Sequence, residues 1–350
     1  MDIYVLDASF KKIGIIDYCA SVIWTTRYCK AGDFELYLPA TEEALRLLKV
    51  NHALIRADKP ESLMIISSIR ITTDEEAGDY LTVSGQSSEG IIAKRIVWKQ
   101  TNLSGLVVDC VRQLLNENVI SPTLTARKIP SIEMGKCCEC NISLTKQITG
   151  DNLLDAIMEI LSTYHLGFKF IFTDGKLQFC IYSGADRSTS QKILPRVEFS
   201  PEFDNLLGSE YSADISEYKN IALVAGEGEG INRKTFTVGE ASGLDRIELF
   251  VDARDISSDT DDGTLTIDQY NALLKAKGDE SLSETLVQQS FEGTIETEIN
   301  YTFGVDYDLG DIVQVTNEYG ISAAARITEV IESWDENGYS CIPTFSSEEV

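Results

Sequence analysis

No apolar run in this 350-residue chain approaches the ~18–20 residues that a helix needs to cross a bilayer. The start lacks the basic and then apolar layout of a secretory leader. Met1-Asp-Ile-Tyr-Val-Leu6 is a strand pattern ahead of a turn, so synthesis and folding in a cytoplasm is the expectation. Histidine is scarce, at positions 52 and 165 only, and no Gly-x-Ser-x-Gly elbow is present. His165 falls at a predicted helix end and His52 at a predicted strand start. Neither has a serine or cysteine context that suggests nucleophilic catalysis. Paired carboxylates of the glycosidase kind cannot be picked out, because 56 acidic residues guarantee chance pairs.

Basic residues are also scarce, but only in one part of the chain. Residues 1–200 carry 24 acidic and 22 basic side chains, whereas residues 201–350 carry 32 and 8. Nearly the whole net charge of −26 therefore belongs to the last 150 residues. Such a surface repels nucleic acid, so no stable nucleic-acid binding is expected. Two explanations stay open: plain solubility, or a surface past which DNA slides without sticking.

Eight cysteines are present, and a chain of this size needs no disulfides to fold. Cys110 on a helical stripe and Cys180 in a strand read as small buried hydrophobes. Cys137-Cys-Glu-Cys140 lacks the second pair or nearby histidines of a structural zinc site, and reads as a strand with reduced thiols. Gly226-Glu-Gly-Glu-Gly230 follows a strand, but its glutamates would repel phosphate and a strand follows it, so it reads as a flexible hairpin loop. The acidic loop 252–263 matches an EF-hand poorly and reads as a solvated loop with helix-capping aspartates. No catalytic, cofactor or metal residues are assigned.

The periodicities divide the chain into three. Residues 1–100 read as strands 2–7, 11–16, 20–28, 33–38, 52–57, 62–71, 79–85 and 90–97, with a turn at Asp74–Gly78. A short helix capped by Thr41 interrupts them. Residues 101–198 hold an amphipathic helix from Leu103 to Leu115 and a β-leaning segment at 121–148. A second helix runs from Asp151 towards Gly167, and a hairpin turns at Asp174-Gly175. Residues 199–350 return to β, with strands near 221–226, 231–238, 246–252, 291–301, 311–316, 321–333 and 338–345. A helical insertion lies near 266–288, as one broken helix or two short ones with a stripe ending before Gly278. The fold class is mainly β with an α+β insert: two barrel or sandwich domains, 1–100 and 199–350, flanking a small α+β domain, 101–198.

Two motifs carry a resemblance. One is Ile23-Trp-Thr-Thr-Arg-Tyr-Cys-Lys-Ala-Gly-Asp-Phe-Glu-Leu-Tyr-Leu-Pro39, with Trp24, Arg27, Gly32, Asp33, Phe34 and Pro39 as its marks. The other is Asp306-Tyr-Asp-Leu-Gly-Asp-Ile-Val-Gln-Val315, in which Asp306 and Asp311 flank Gly310, a residue suited to a positive-φ turn. With Ile71 to Gly85 between them, they resemble the ReqiPepy-type siphophage tail-hub family along almost the whole chain. Arg27 reads as a structural ion pair with Asp33 or Glu35. The resemblance implies a non-enzymatic tail-tip protein similar to the baseplate hub of contractile-tailed phages. It implies a homotrimer that forms a pseudo-sixfold ring around the DNA conduit, with the distal tail protein, the tape-measure protein and a downstream tip or fibre as partners. The chain ends directly after its last predicted strand, so an appended lytic or receptor-binding domain is not expected. Two rivals are a carbohydrate-binding tail-tip module, which the 14 tyrosines permit, and a tail-associated hydrolase.

Overall fold

A computed structural model describes residues 1–74, 78–260, 263–285, 288–295 and 300–347. The first β-rich stretch holds β1 (Ile3–Leu6), β2 (Lys12–Ile16), β3 (Ser21–Arg27) and β4 (Asp33–Pro39). Helix α1 (Glu42–Leu47) follows, then β5 (Ala53–Arg56), β6 (Lys59–Asp74) and β7 (Gly78–Ser87). Strand β4 shows the one-sided alternation plainly: Phe34, Leu36 and Leu38 are buried while Glu35 and Tyr37 face out. The Thr41 side chain caps α1 by accepting from Ala44 N–H, as its sequence predicts. The predicted turn at 74–78 lies largely outside the described residues, although Asp74 pairs with Gly78 across it. The predicted strand 90–97 is instead a 3₁₀ helix, Ser88–Lys94. Its adjacent Ile91 and Ile92 are both buried, which the alternation of a one-sided strand does not allow.

The middle region runs β8 (Thr101–Leu106), α2 (Val107–Leu115), β9 (Ile132–Met134), β10 (Ser143–Ile148), α3 (Leu153–Thr163), β11 (Gly167–Thr173) and β12 (Lys176–Tyr182). Helix α2 starts four residues later than its stripe suggests. Leu103 belongs to β8, where it is buried opposite Lys146 of β10; a strand residue four places before Val107 imitates the helical spacing. The β11–β12 hairpin turns at Asp174 and Gly175, both with positive φ, as expected of an Asp-Gly turn. Cys137 to Cys140 form no ladder strand; Cys138 N–H makes one bond to Ile181 O beside β12, and all eight cysteines are free thiols.

The last region begins with β13 (Glu198–Phe199) and β14 (Leu206–Asp214). There follow β15 (Ile221–Ala225), β16 (Thr235–Val238), β17 (Glu248–Asp252), a short hairpin of β18 (Asp259–Thr260) and β19 (Gly263–Thr264), and α4 (Ile267–Ser283). It ends with β20 (Gln288–Ile295), β21 (Ile312–Thr316), β22 (Ser322–Asp335) and β23 (Gly338–Ser347). Asp214 of β14 pairs directly with Gln288 of β20, so everything between them is an insertion into a hairpin. It is wider than the helical segment that the sequence suggests. Among the described residues strands β15, β16 and β17 pair only with each other, and they bury Ala222, Val224 and Val251 against Tyr270, Leu273 and Leu274 of α4. Helix α4 is continuous and passes through Gly278. A Cβ there would lie 2.6–2.7 Å from Val238 and Val224, so this glycine serves close helix–sheet packing rather than a helix end.

Among the described residues no barrel closes. The two terminal regions instead join in one sheet, of order β14-β20-β23-β22-β3-β4-β7-β6-β5-β1-β2, with β21 beside β22 and β13 beside β21. Within it the same unit occurs twice. The order β3-β4-β7-β6-β5-β1 in the first region matches β14-β20-β23-β22-β21-β13 in the last, strand for strand in chain order. The details agree. Long strand β6 has a bulge between Ile66 and Ser68, and β22 has one between Ile327 and Glu329. Ile66 exchanges backbone bonds with Asn51 and His52, as Ile327 does with Gly310 and Asp311. Asn51 and Gly310 both have positive φ, +67° and +91°. One difference is that β1 runs antiparallel to β5 whereas β13 runs parallel to β21. No helix among the described residues is long and apolar enough to cross a membrane.

Candidate functional site

The two sequence motifs lie some 280 residues apart and meet in space. Residues 329–334 of β22 pair with 22–27 of β3, which makes the sheet continuous. At this seam Arg27 lies 2.6 Å from Asp33 and 2.5 Å from Glu329, and donates to Ala31 O at 2.9 Å. Of the two predicted partners Asp33 is found and Glu35 is not. Glu329 was not legible, because it comes from the other end of the chain. Trp24 is fully buried, its ring 5.8 Å from that of Phe34. Gly32 leaves no room for a side chain: a Cβ would lie 2.1 Å from Thr25 O.

Behind the seam sits an ion cluster that sequence reasoning missed. Arg56, 1% exposed, bonds Glu332, itself 2% exposed, at 2.8 Å, and also bonds Asp58. Lys59 reaches the same Glu332 at 2.9 Å, and Tyr339 O–H donates to it. The Arg56 guanidinium stacks 4.3 Å from the centre of the Trp334 ring. Two cations thus face two carboxylates, which is how buried charge becomes tolerable. Burial pushes the Asp58 carboxyl up, but the Arg56 guanidinium outweighs this and holds it below its ordinary range.

Tyr28, one residue past Arg27, joins this seam to the middle region. Its N–H donates to Thr328 O and its carbonyl accepts from Phe168 N–H. Its hydroxyl donates to His165 O at 2.9 Å and lies 3.3 Å from Tyr182 O, and burial pushes its pKa up. The Arg326 guanidinium stacks on the ring at 5.3 Å and bonds Gly310 O at 2.7 Å. Gly310 packs so closely that a Cβ there would lie 2.3 Å from the Tyr28 ring. Gly167 touches the ring from the middle region in the same way. Asp311, 4% exposed, accepts from Ala185 N–H, Arg187 Nε and Asp308 N–H, and so ties the middle region to the second motif. Asp306 stays outside the junction and accepts from Thr302 N–H in its own turn. Glycine at 167 and 310 was the available signal for an aromatic ring between them, but nothing local says which ring.

A cleft of about 410 Å³ opens beside the junction, lined by Arg27, Lys59, Glu89, Lys169, Tyr182 and Leu309 among others. Glu89 is buried and accepts from Phe170 N–H at 2.7 Å; burial pushes its carboxyl up. His52 Nδ1 lies 2.7 Å from Leu47 O, and His165, at φ +53°, ends α3. The Gly226–Gly230 loop turns its Glu227 carboxylate onto Ser258 N–H and Oγ, a structural use of the acid that was expected to repel phosphate. In the acidic loop Asp252 pairs with Arg233 and Arg254, while Asp261 and Asp262 lie outside the described residues. Among the described residues no three metal-ligating side chains converge. The chemistry of the junction is that of a fastening, in which cations, carboxylates and closely packed glycines from three regions lock together.

Three solved structures that share this fold are tail proteins. The tail protein from Neisseria meningitidis MC58 shares 14% identity, with 99% of this chain and 96% of that chain covered at a TM-score of 0.61. The prophage tail protein gp18 from Listeria monocytogenes EGD-e shares 11%, covering 99% and 95% at 0.60. The 43 kDa tail protein of prophage MuSo2 from Shewanella oneidensis shares 11%, covering 99% and 98% at 0.58. These likenesses establish the fold. No curated protein matches the chain in sequence. The family model described as Siphovirus ReqiPepy6 Gp37-like protein matches residues 2–345, and the chain belongs to that family of phage tail proteins.

Proposed function

We propose that this protein is the hub at the tail tip, a homotrimer whose ring joins the sixfold tail tube to a threefold tip and surrounds the DNA conduit. The observation that carries this reading is the duplication. Each chain holds two units of equal strand order, so three chains present six similar units to a sixfold tube. In this arrangement residues 1–100 and 199–350 hold the ring-forming units and 101–198 the spacer. The distal tail protein, the tape-measure protein and a downstream tip or fibre are its neighbours. The role is mechanical: the buried Arg56–Glu332 and Tyr28–Gly310 contacts keep the two units of one chain at a fixed angle. The acidic final region faces the conduit, where repulsion from DNA prevents sticking.

The test is imaging of tail tips by electron microscopy. Three copies in a ring with alternating first and last units are expected; one copy, or a twofold arrangement, would end the proposal. The surface potential of such a ring tests the conduit separately. If the acids of 201–350 are spread over the outer surface, solubility is their explanation.

A further inference from the structure

The seam between β3 and β22 is one of two contacts that the duplicated unit can make, and only one is made within a chain. Strand β22 uses its first half, Ser322–Arg326, to pair with β21, and its second half, 329–334, to pair with β3. Its counterpart β6 uses its first half to pair with β5 up to Ile65. Beyond the bulge, β6 has β7 as its one neighbour in the sheet order. At the far end β14, the counterpart of β3, ends the order with β20 beside it. The chain thus carries one made seam and the two halves of a second.

We propose that residues 68–73 of β6 in one copy pair antiparallel with residues 209–214 of β14 in a second copy, repeating the in-chain seam between subunits. This rests on the ring reading above and names the edges that close the ring. The register follows from the two bulges and the cross-strand pairs. Ser68 corresponds to Glu329, because each follows its bulge. Gln86 and Ser346 correspond, being the partners of Ile65 and Arg326. They pair with Asp33 and Ser290, which in turn pair with Thr25 and Ser212. The in-chain pairs Glu329–Arg27 and Ser333–Ile23 then translate to Ser68 opposite Asp214 and Thr72 opposite Glu210.

The side chains fit this register. Arg70 falls opposite Ser212, with Glu210 and Asp214 as its diagonal neighbours on the same face. Arg70 is exposed and has no carboxylate within salt-bridge reach among the described residues, and Glu210 and Asp214 are exposed. On the other face Ile71, 55% exposed, falls opposite Tyr211, where the in-chain seam sets Glu332 opposite Trp24. The contact is head to tail, so it closes a ring instead of a twofold dimer. It also gives both long edges a partner, which edge strands otherwise lack.

Tails purified from cells producing Thr72→Cys/Glu210→Cys test the pairing. After oxidation, non-reducing denaturing gels should show covalent species of two and three chains that vanish with reductant, while each single variant stays at one chain. The in-chain equivalent, Ile23→Cys/Ser333→Cys, serves as the positive control and closes within one chain. If tail tips contain a ring of copies and the control closes, but Thr72→Cys/Glu210→Cys stays at one chain, the pairing is wrong and the ring reading survives. If tips contain a single copy, the ring reading itself falls and the pairing with it. Should the double variant fail to assemble, wild-type hydrogen exchange decides. Amides of 68–73 and 209–214 should exchange at least roughly tenfold more slowly in tails than in the free protein, and equal rates overturn the proposal.

Discussion

The first and last β units share a strand order but not a surface. Residues 1–87 carry 13 acidic and 9 basic side chains. The matching parts of the last unit, residues 201–214 and 288–350, carry 17 acidic residues and one basic residue, Arg326. The seam explains part of this contrast. Arg27, Arg56 and Lys59 of the first unit hold Glu329 and Glu332 of the last. Arg326, buried, is spent on Tyr28 and Gly310. Two sequences of unequal charge, one mixed and one almost purely acidic, therefore reach one topology, and the cations of the first supply the fastening to carboxylates of the second. The lesson is that the acid excess of the last region is not only a matter of its surface.

Breaking the buried pair gives the largest expected effect. Glu332→Ala leaves Arg56 and Lys59 short of a carboxylate in a site where Arg56 is 1% exposed. Loss of one partner of a buried pair costs about 3–5 kcal/mol. Urea unfolding followed by tryptophan fluorescence should report it, since Trp24 and Trp334 flank the guanidinium. A loss below about 1 kcal/mol would mean that the seam is looser than its geometry.

The equivalent turns sharpen the comparison at a smaller scale. Gly310→Val combines left-handed strain of ~1–3 kcal/mol with overpacking against the Tyr28 ring, another ~1–3 kcal/mol. Asn51 occupies the matching position at φ +67°, and Asn51→Gly should be neutral within about 0.5 kcal/mol, because Asn tolerates this conformation. Gly304→Ala tests strain alone: φ is +80° with nothing within 4 Å of a new Cβ, so about 1 kcal/mol is expected. Equal melting temperatures for Gly310→Val and wild type would refute the close packing of Gly310 on Tyr28.

Local features were legible in the sequence and distant ones were not. The cap at Thr41, the Asp174-Gly175 turn and the Gly310 turn depend on neighbours within four residues, and each is found. The β8–α2 boundary was misread because Leu103 lands on the helical stripe by coincidence of spacing. Gly278 looked like a stop because a glycine inside a helix weakens it, unless a sheet packs where its side chain would be. The β3–β22 seam joins Arg27 to Glu329, 302 positions away, the Arg56 cluster joins residues 276 apart, the duplication relates opposite ends of the chain, and no periodicity spans such distances. The marked residues of the two motifs read from the sequence as turn and strand positions. Tyr28, Arg56, Glu329 and Glu332, which make the junction, were not.

The smallest effect separates two carboxyls by the sign of their pH dependence. Asp58 at the seam is held below its ordinary value of 3.8. Its folded form favours the carboxylate, so its contribution is present above that value and is lost as pH falls through the lowered one. Glu89 is the reverse: burial raises it above its ordinary 4.5, despite bonds from Ser87 and Phe170 N–H. The folded state then holds a proton that the unfolded chain releases, so stability declines as pH rises from 4.5 through the raised value. Asp58→Asn should cost little, because that side chain is about half exposed, and its deficit against wild type should shrink as pH drops below 3.8. Glu89→Gln keeps an acceptor for Phe170 N–H and removes the titration, so its advantage over wild type should grow as pH rises above 4.5. Urea midpoints of the two variants between pH 3 and 8, each taken as a difference from wild type, should change in these two ranges and not elsewhere. If both differences change in the same range, the two carboxyls do not sit in the environments described: one answered by a cation from its own unit, the other enclosed where the first unit meets the middle region.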